Sequence, residues 1–431
     1  MKINMGSLND KLRLLGIELG VQNIQKPREK YPYSIEKVLN AKLEQTKIGD
    51  VYTVESEYPI DYLHGKTTIN IDVPLSVIAD WVGNPSVNEI RSQELSFIDV
   101  ESTGLSGGTG TYAFLIGVGK FEQDRYRIVQ YFMNDPTYEP AQLAALEQFL
   151  ASVKSIVSFN GKAFDIPLLN ARYTFHGWKS PFKDMIHIDL LHLARRLWRD
   201  RIPSRTLSNL EFEILRSERT EEDIPGWMVP SIYFEYLQDR DPRPLKRIFY
   251  HNEIDVLSLS ALLNHMAGLL VDPLSRGHHH ASDLLAIGRL YEDIGNNDAA
   301  VSLYTRGLEH DDITSQRINK EIMIRALYRL SMIYKRSEEF SKAIRVWQKA
   351  ATNQHIESCI ELAKYFEHRT KDYGSAIHWT NQALSMIEKA LENDDMPYGV
   401  TNLNVKKTHH ELLHRLQRVK SKLEGKITES K

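Results

Sequence analysis

Three strand-like runs come before the first helical one, and that order narrows the folds open to this chain. LSFIDVE (95–101), TYAFLIGVGKF (111–121) and RYRIVQYFM (125–133) are rich in β-branched and aromatic residues, which suit a pleated, half-buried surface. Only EQD (122–124) separates the last two, which predicts a hairpin and a sheet that opens antiparallel. EPAQLAALEQFLASV (139–153) then carries apolar residues at helical spacing, with Glu139 and Pro140 suited to a first turn. SIVSF (155–159) reads as a short buried strand and FDIPLLNARYTFHG (164–177) as a helix. MIHIDLLHLARRLWR (185–199) reads as a strand running into a helix, and residues 244–270 as one long helix. The expectation is an α/β domain, a mixed sheet flanked by helices, of about 175 residues.

Beyond residue 275 the strand pattern vanishes. LYEDIGNNDAAVSLYTRGL, IYKRSEEFSKAIRVWQKAA and YFEHRTKDYGSAIHWTNQAL resemble one another, with Ala300, Ala343 and Ala376 equivalent and offset by 43 and 33 residues. The second offset matches the roughly 34-residue period of tetratricopeptide repeats; a polar insertion around HDDITSQRINK accounts for the first. Such helix pairs bury their apolar faces by stacking on neighbours. VKKTHHELLHRLQRVKSKLEGK reads as a basic amphipathic capping helix. The predicted organisation is an N-terminal extension of mixed structure (1–90), the α/β domain (91–272) and an all-α repeat domain (281–431), with the repeats separable from any chemistry.

Cys359 is the one cysteine, so an internal disulfide and a cysteine-based zinc site are excluded, and a reducing cytoplasm is the expected location. The N-terminus lacks the apolar core of a signal peptide, and no uninterrupted apolar run approaches the roughly 18 residues of a membrane span. A formal net charge of −3 lacks the basic balance that usually marks a nucleic-acid binder. The charge is unevenly spread: ARRLWRDRIPSR (194–205) is densely basic and EFEILRSERTEED (211–223) largely acidic.

The first strand ends in Asp99 and Glu101. Residues i and i+2 of a strand share a face, so the two carboxylates project together, and burying such a pair unpaired is costly. An arginine or a hard cation should sit between them. Asp165 opens the helix after SIVSFNGKAF, with Asn160 at the strand end, and Asp255 falls within the apolar pattern of the long helix. Four acids from three separated segments suit oxygen ligation of magnesium or manganese, and two such ions about 4 Å apart can support phosphodiester hydrolysis.

The order Asp-x-Glu, Thr-Gly-Leu, Asn…Phe-Asp and a late helical Asp resembles the DEDD exonuclease superfamily, which has a ribonuclease H-like fold. Within it the chain is most similar to the YprB-like bacterial group, in which such a domain precedes tetratricopeptide repeats. The resemblance implies that Asp99, Glu101, Asp165 and Asp255 bind two Mg2+ or Mn2+ ions. It also implies that Thr103, Gly104 and Leu105 lie against the substrate's terminal nucleotide. Asn160, Arg195, Arg196 and Arg199 are further candidates for substrate contact. The expected activity is a 3′→5′ exonuclease on DNA or RNA, with a protein partner or a longer nucleic-acid path on the repeats and no membrane association. A non-catalytic scaffold and a structure-specific endonuclease are the alternatives.

The family places a tyrosine four residues, or a histidine five residues, before the last Asp; here His251 and Tyr250 hold those places in swapped order. On a continuous helix the residue four back lies about 40° from Asp255, and the residue five back about 140°. His251 is therefore assigned to position the attacking water and Tyr250 to packing. Asp189 either caps the following helix or supports the site. The histidines at 278–280 read as a linker. GTGTYA (108–113) fits a loose dinucleotide pattern but leads into a strand rather than the helix that motif needs. HGKTT (64–68) lacks the upstream glycine of a phosphate-binding loop.

Overall fold

A computed structural model describes residues 33–104, 110–274, 280–314, 319–393 and 405–429. Leu105, the glycine at 108, His278 and His279 lie outside the described residues. The strands are β1 (Lys42–Gln45), β2 (Asp50–Pro59), β3 (Leu63–His64), β4 (Thr67–Thr68), β5 (Leu95–Ser102), β6 (Ala113–Phe121), β7 (Arg125–Phe132), β8 (Ser155–Ser158) and β9 (Ile186–Asp189). Seven of them form one sheet in the order β1-β2-β7-β6-β5-β8-β9. It is antiparallel from β1 to β5 and parallel through β8 and β9. The hairpin over EQD and the antiparallel opening are as the sequence predicts. The described part of the N-terminal extension supplies β1 and β2, so it extends the same sheet. HGKTT forms the separate β3–β4 hairpin.

The helices are α1 (Ile35–Leu39), α2 (Ser76–Val82), α3 (Glu139–Leu150), α4 (Asp165–Phe175), α5 (Leu190–Trp198), α6 (Leu207–Leu210), α7 (Val229–Asp239) and α8 (Leu245–Val271). Strand alternation decides which of them covers which face. Ile98 of β5 packs with Leu146 of α3 and Leu169 of α4, whereas Phe97 packs with Leu193 of α5 and Val256 of α8. By length and composition α8 could cross a membrane, but most of it is buried inside the protein.

The repeat region is helical throughout its described residues. Its hairpins pair α9 (Ala281–Asp293) with α10 (Asn297–Leu308), α12 (Lys320–Arg336) with α13 (Phe340–Thr352), and α14 (Ile356–His368) with α15 (Tyr373–Asn393). A short α11 (Asp311–Thr314) interrupts the series, and α16 (Val405–Glu429) packs on α15. Ala300, Ala343 and Ala376 each sit in the second helix of a pair with no solvent exposure, as the alignment of the three segments requires. The apolar core runs unbroken from Leu197, Trp198 and Met266 into Leu284, Leu290 and Leu330. The Tyr291 hydroxyl donates to the Leu270 carbonyl at 2.6 Å. The repeats are thus fused to the α/β domain rather than tethered to it.

Candidate active site

Alternation along β5 also aims the two carboxylates. Asp99 and Glu101 share the face of Phe97, and that face meets α8, which carries His251 and Asp255. The register against β6 shifts between Glu101 and Ser102, a strand-end bulge of the kind that re-aims side chains beside functional sites.

Asn252 holds the first carboxylate. Its Nδ2 donates to Asp99 Oδ2 at 2.8 Å and to the Asp99 carbonyl at 3.2 Å. Its Oδ1 accepts from Gln130 Nε2 at 2.9 Å, and Gln130 Nε2 is also 2.8 Å from the Phe249 carbonyl. Gly117, paired with Asp99 across the ladder, leaves the room: a Cβ there would stand 2.1 Å from Asn252 Oδ1. Gly117→Ala should therefore displace Asn252, free the Asp99 carboxylate and lower any activity by roughly 10- to 100-fold, the scale for a group that orients a ligand. A melting curve and turnover measured together check this; unchanged activity would show that Asn252 does not position Asp99.

Asp165 is the first residue of α4 but does not cap it, since the N-cap position is Phe164 and no side-chain cap bond forms. A Cβ at Gly161 would lie 2.4 Å from Ser158 Oγ and 2.9 Å from Asp165 Oδ2, so the loop presses directly on this carboxylate. Asn160, at φ 66°, turns the chain into that loop. Asp189 fills both roles left open for it. It caps α5 through Leu191 N at 3.1 Å, and it accepts from the Asn160 and Lys162 amides at 2.8 and 3.1 Å.

His251 reaches the carboxylates and Tyr250 does not, as the helical angles require. His251 Nε2 lies 3.8 Å from Asp255 Oδ2 and 4.0 Å from Glu101 Oε1. On its other edge, Nδ1 meets Asp223 Oδ1 at 2.6 Å. The Tyr250 hydroxyl instead accepts the Thr220 amide at 3.0 Å. Arg219, which the sequence reading passed over within an acidic stretch, is the positive charge of the site. It pairs with both oxygens of Glu211 at 2.6 Å, with Asp255 Oδ1, and with Asp223 at 3.4 Å. Glu211, at 1% side-chain exposure, has both carboxylate oxygens engaged by this arginine. Asn252 was the more legible omission, three residues before Asp255 and about 60° from it on the helix.

Burial, then repulsion from Asp255 and Asp165, pushes the Asp99 carboxyl well above its usual range. Burial, then Asp99 and Asp255, does the same to Glu101. Burial followed by Asp189 and Asp255 raises Asp165 to about 7. Asp255 is raised by burial against the opposing pull of Arg219 and His251. Burial acts to lower His251, but Asp255 and Asp223 outweigh it and the net shift is upward. Four mutually repelling carboxyl groups are a donor set that suits a hard divalent cation. As they stand, no three His, Cys, Asp or Glu side chains among the described residues are arranged to hold an ion, and Arg219 engages one oxygen of Asp255.

The raised acids carry a stability signature. A carboxyl at about 7 in the folded state and near 3.9 when unfolded keeps its proton longer in the folded state. Its contribution to stability is therefore greatest at low pH and falls as pH rises between those values. In divalent-free buffer, Asp165→Asn should raise Tm by roughly 3–6 °C at pH 8 and by little near pH 4. Scanning fluorimetry across that range tests it, and a variant less stable than its parent at pH 8 would contradict it.

The other predicted residues fall in two places. The Thr103 hydroxyl accepts the Tyr112 amide at 3.0 Å, linking the end of β5 to the start of β6, and no described atom lies within 4 Å of a Cβ placed on Gly104. Arg195, Arg196 and Arg199, near the end of α5, line a cavity shared with the repeat helices. GTGTYA leads into β6, as its residues predict.

Residues 96–267 match the family model of the RNase H superfamily, and residues 284–312 that of the tetratricopeptide repeat. "Uncharacterized protein YprB" of Bacillus subtilis (strain 168) is 33% identical over 343 residues, covering 77% of this chain and 79% of its own. The chain belongs to the YprB family. Its α/β domain is an RNase H-like, nuclease-type domain, followed by tetratricopeptide-like repeats. Among solved structures, the family B DNA polymerase from the hyperthermophilic archaeon Pyrobaculum calidifontis overlaps 55% of this chain at 16% identity and a TM-score of 0.30. The match spans 29% of that polymerase, and so low a score bears on neither fold nor function.

Proposed function

We propose that this protein is a divalent-metal-dependent 3′→5′ exonuclease that hydrolyses terminal phosphodiester bonds of DNA or RNA. One observation carries the reading: His251 stands within 4.0 Å of both Glu101 and Asp255, at a cluster to which Asp99 and Asp165 also belong. Asp99, Glu101, Asp165 and Asp255 would hold Mg2+ or Mn2+. Bound there, two ions would lower the pKa of an attacking water and stabilise the leaving 3′-oxygen. The protein's own share is proton handling and alignment. Asp223 engages Nδ1 of His251, which fixes the ring and leaves Nε2 facing Glu101 and Asp255 to take a proton from water. Asn252 fixes Asp99, and the Asp189 carboxylate fixes the loop that bears on Asp165. For Asp255 to serve as a ligand through Oδ1, Arg219 must give up that oxygen while keeping Glu211.

The test is a panel of 5′-labelled single- and double-stranded DNA and RNA incubated with Mn2+, with Mg2+ or with chelator. The expected result is metal-dependent shortening from the 3′ end, one nucleotide at a time. Internal cuts would indicate an endonuclease. No cleavage, with no metal-dependent rise in Tm, would replace this reading by a scaffold role.

A further inference from the structure

A second site lies where the two parts of the chain meet. A cavity of about 970 Å3 is walled by the end of α5 on one side and by α9, α12 and the start of α14 on the other. Six arginines line it: Arg195, Arg196, Arg199, Arg289, Arg325 and Arg329. Three carboxylates face them, from Asp200, Asp293 and Glu357. Asp293 is shared by Arg196 and Arg329, and Asp200 is shared by Arg199 and Arg325. Arg195 and the guanidinium of Arg289 have no partner among the described residues, and the Nε atoms of Arg196 and Arg289 are buried without one. Even with Glu292, which also meets Arg329 at 3.3 Å, six arginines outnumber the carboxylates and the positive charge is in excess; burial and then the neighbouring Arg289, Arg329 and Arg199 lower Arg196 to about 10. Burial also raises Glu357 to about 7, which weakens one of the three counter-charges.

Packing alone does not call for this arrangement. Arg195 and Arg199 are four residues apart, as are Arg325 and Arg329, and like charges at that helical spacing repel. Guanidinium forks match phosphate oxygens in pairs. Half-buried Trp81 and Tyr328 stand at the same cavity, the tyrosine ring 4.8 Å from that of His355, and aromatic rings are the side chains on which bases stack. Arginines beside aromatics favour a nucleotide over an acidic peptide, which would need the charges alone. We propose that this cavity binds the phosphates and bases of nucleotide units, separately from the carboxylate cluster. The same chemistry can come from a single strand of nucleic acid or from a free nucleotide. The inference rests on the nuclease reading only for its choice of ligand.

The experiment is fluorescence anisotropy of the full chain with a fluorescein-labelled single-stranded oligonucleotide in chelator, so that binding is read without cleavage. Arg195→Gln combined with Arg289→Gln removes two unpartnered charges and should leave Tm unchanged or raised. Oligonucleotide affinity should fall about 10-fold, and the slope of log affinity against log salt should shrink by about 0.7 per lost contact. Arg345→Gln, on exposed α13 surface away from the cavity, should change neither. Arg325→Gln, on a different helix, is the second probe should the double variant not fold. A nucleoside triphosphate that competes at micromolar concentration assigns the site to free nucleotides, and failure to compete assigns it to a strand. Folded variants that bind oligonucleotide and triphosphate as the parent does overturn the proposal. That outcome is distinct from failure of the nuclease reading, which would show as a parent protein that cleaves nothing.

Discussion

Asp99→Asn and Asp255→Asn should each leave a folded protein with nuclease activity reduced by about three orders of magnitude or more, and the double variant should lose little further. The reason lies in how the carboxyl groups share one site. Burial pushes each toward its protonated form, and Asp255 and Asp165 raise Asp99 and Glu101 further, so bound cations would satisfy them jointly, and groups that act as a unit fail as a unit. Asparagine keeps the volume and removes one of the repelling charges, so Tm in chelator should rise or hold while the metal-dependent increase in Tm shrinks. Asp99→Asn also keeps an oxygen to accept from Asn252. Asp255→Asn weakens the contact with Arg219, which retains Glu211. Turnover of a labelled oligonucleotide and Tm with and without Mn2+ check all of this. A single variant within a few-fold of its parent would show that the residue is not part of the hydrolytic site.

What the sequence disclosed, and what it hid, follows from the range over which each interaction acts. The β6–β7 hairpin, helices α3, α4, α5 and α8, the repeat helices and the aim of Asp99 and Glu101 depend on local period and were legible. β2 was not, because its fully buried side chains are Val51 and Thr53 alone. Farther along, Glu55 and Glu57 meet Arg127 and Arg125 of β7, so cross-strand charge replaces the alternation that marks a strand. Arg219 was hidden for a related reason. Its partners come from Glu211, Asp223 and Asp255, and no local pattern singles out one arginine in an acid-rich connection. The fusion of the repeats to the α/β domain was equally invisible, since it rests on apolar contacts such as those joining Met266 and Leu284 in one core. Arg195, Arg196 and Arg199 stood out in the sequence, but their neighbours across the cavity lie about a hundred residues or more away, so only the fold gives that cluster its context.

His251→Gln should lower turnover by about two orders of magnitude, the usual scale for a general base, while Tyr250→Phe should be nearly silent. Both follow from α8 running unbroken through these residues. The histidine is aimed at Glu101 and Asp255 by Asp223, whereas the tyrosine hydroxyl only accepts the Thr220 amide at an exposed position. The pH profile separates a base from a structural group. A base must be neutral to act, so activity should climb with pH and be lost below the histidine's pKa. In the metal-free protein Asp255 and Asp223 hold that pKa above the ordinary value of about 6.5 despite burial. In His251→Gln that limb should disappear, leaving only the titration of the carboxylates and of metal-bound water. Asp223→Asn should shift the limb toward lower pH and cost less, because it removes the group that favours the charged ring and keeps the ring itself. If Tyr250→Phe proves the damaging change and His251→Gln the mild one, then α8 must rotate or unwind when substrate binds, bringing the tyrosine to the face that the histidine holds here.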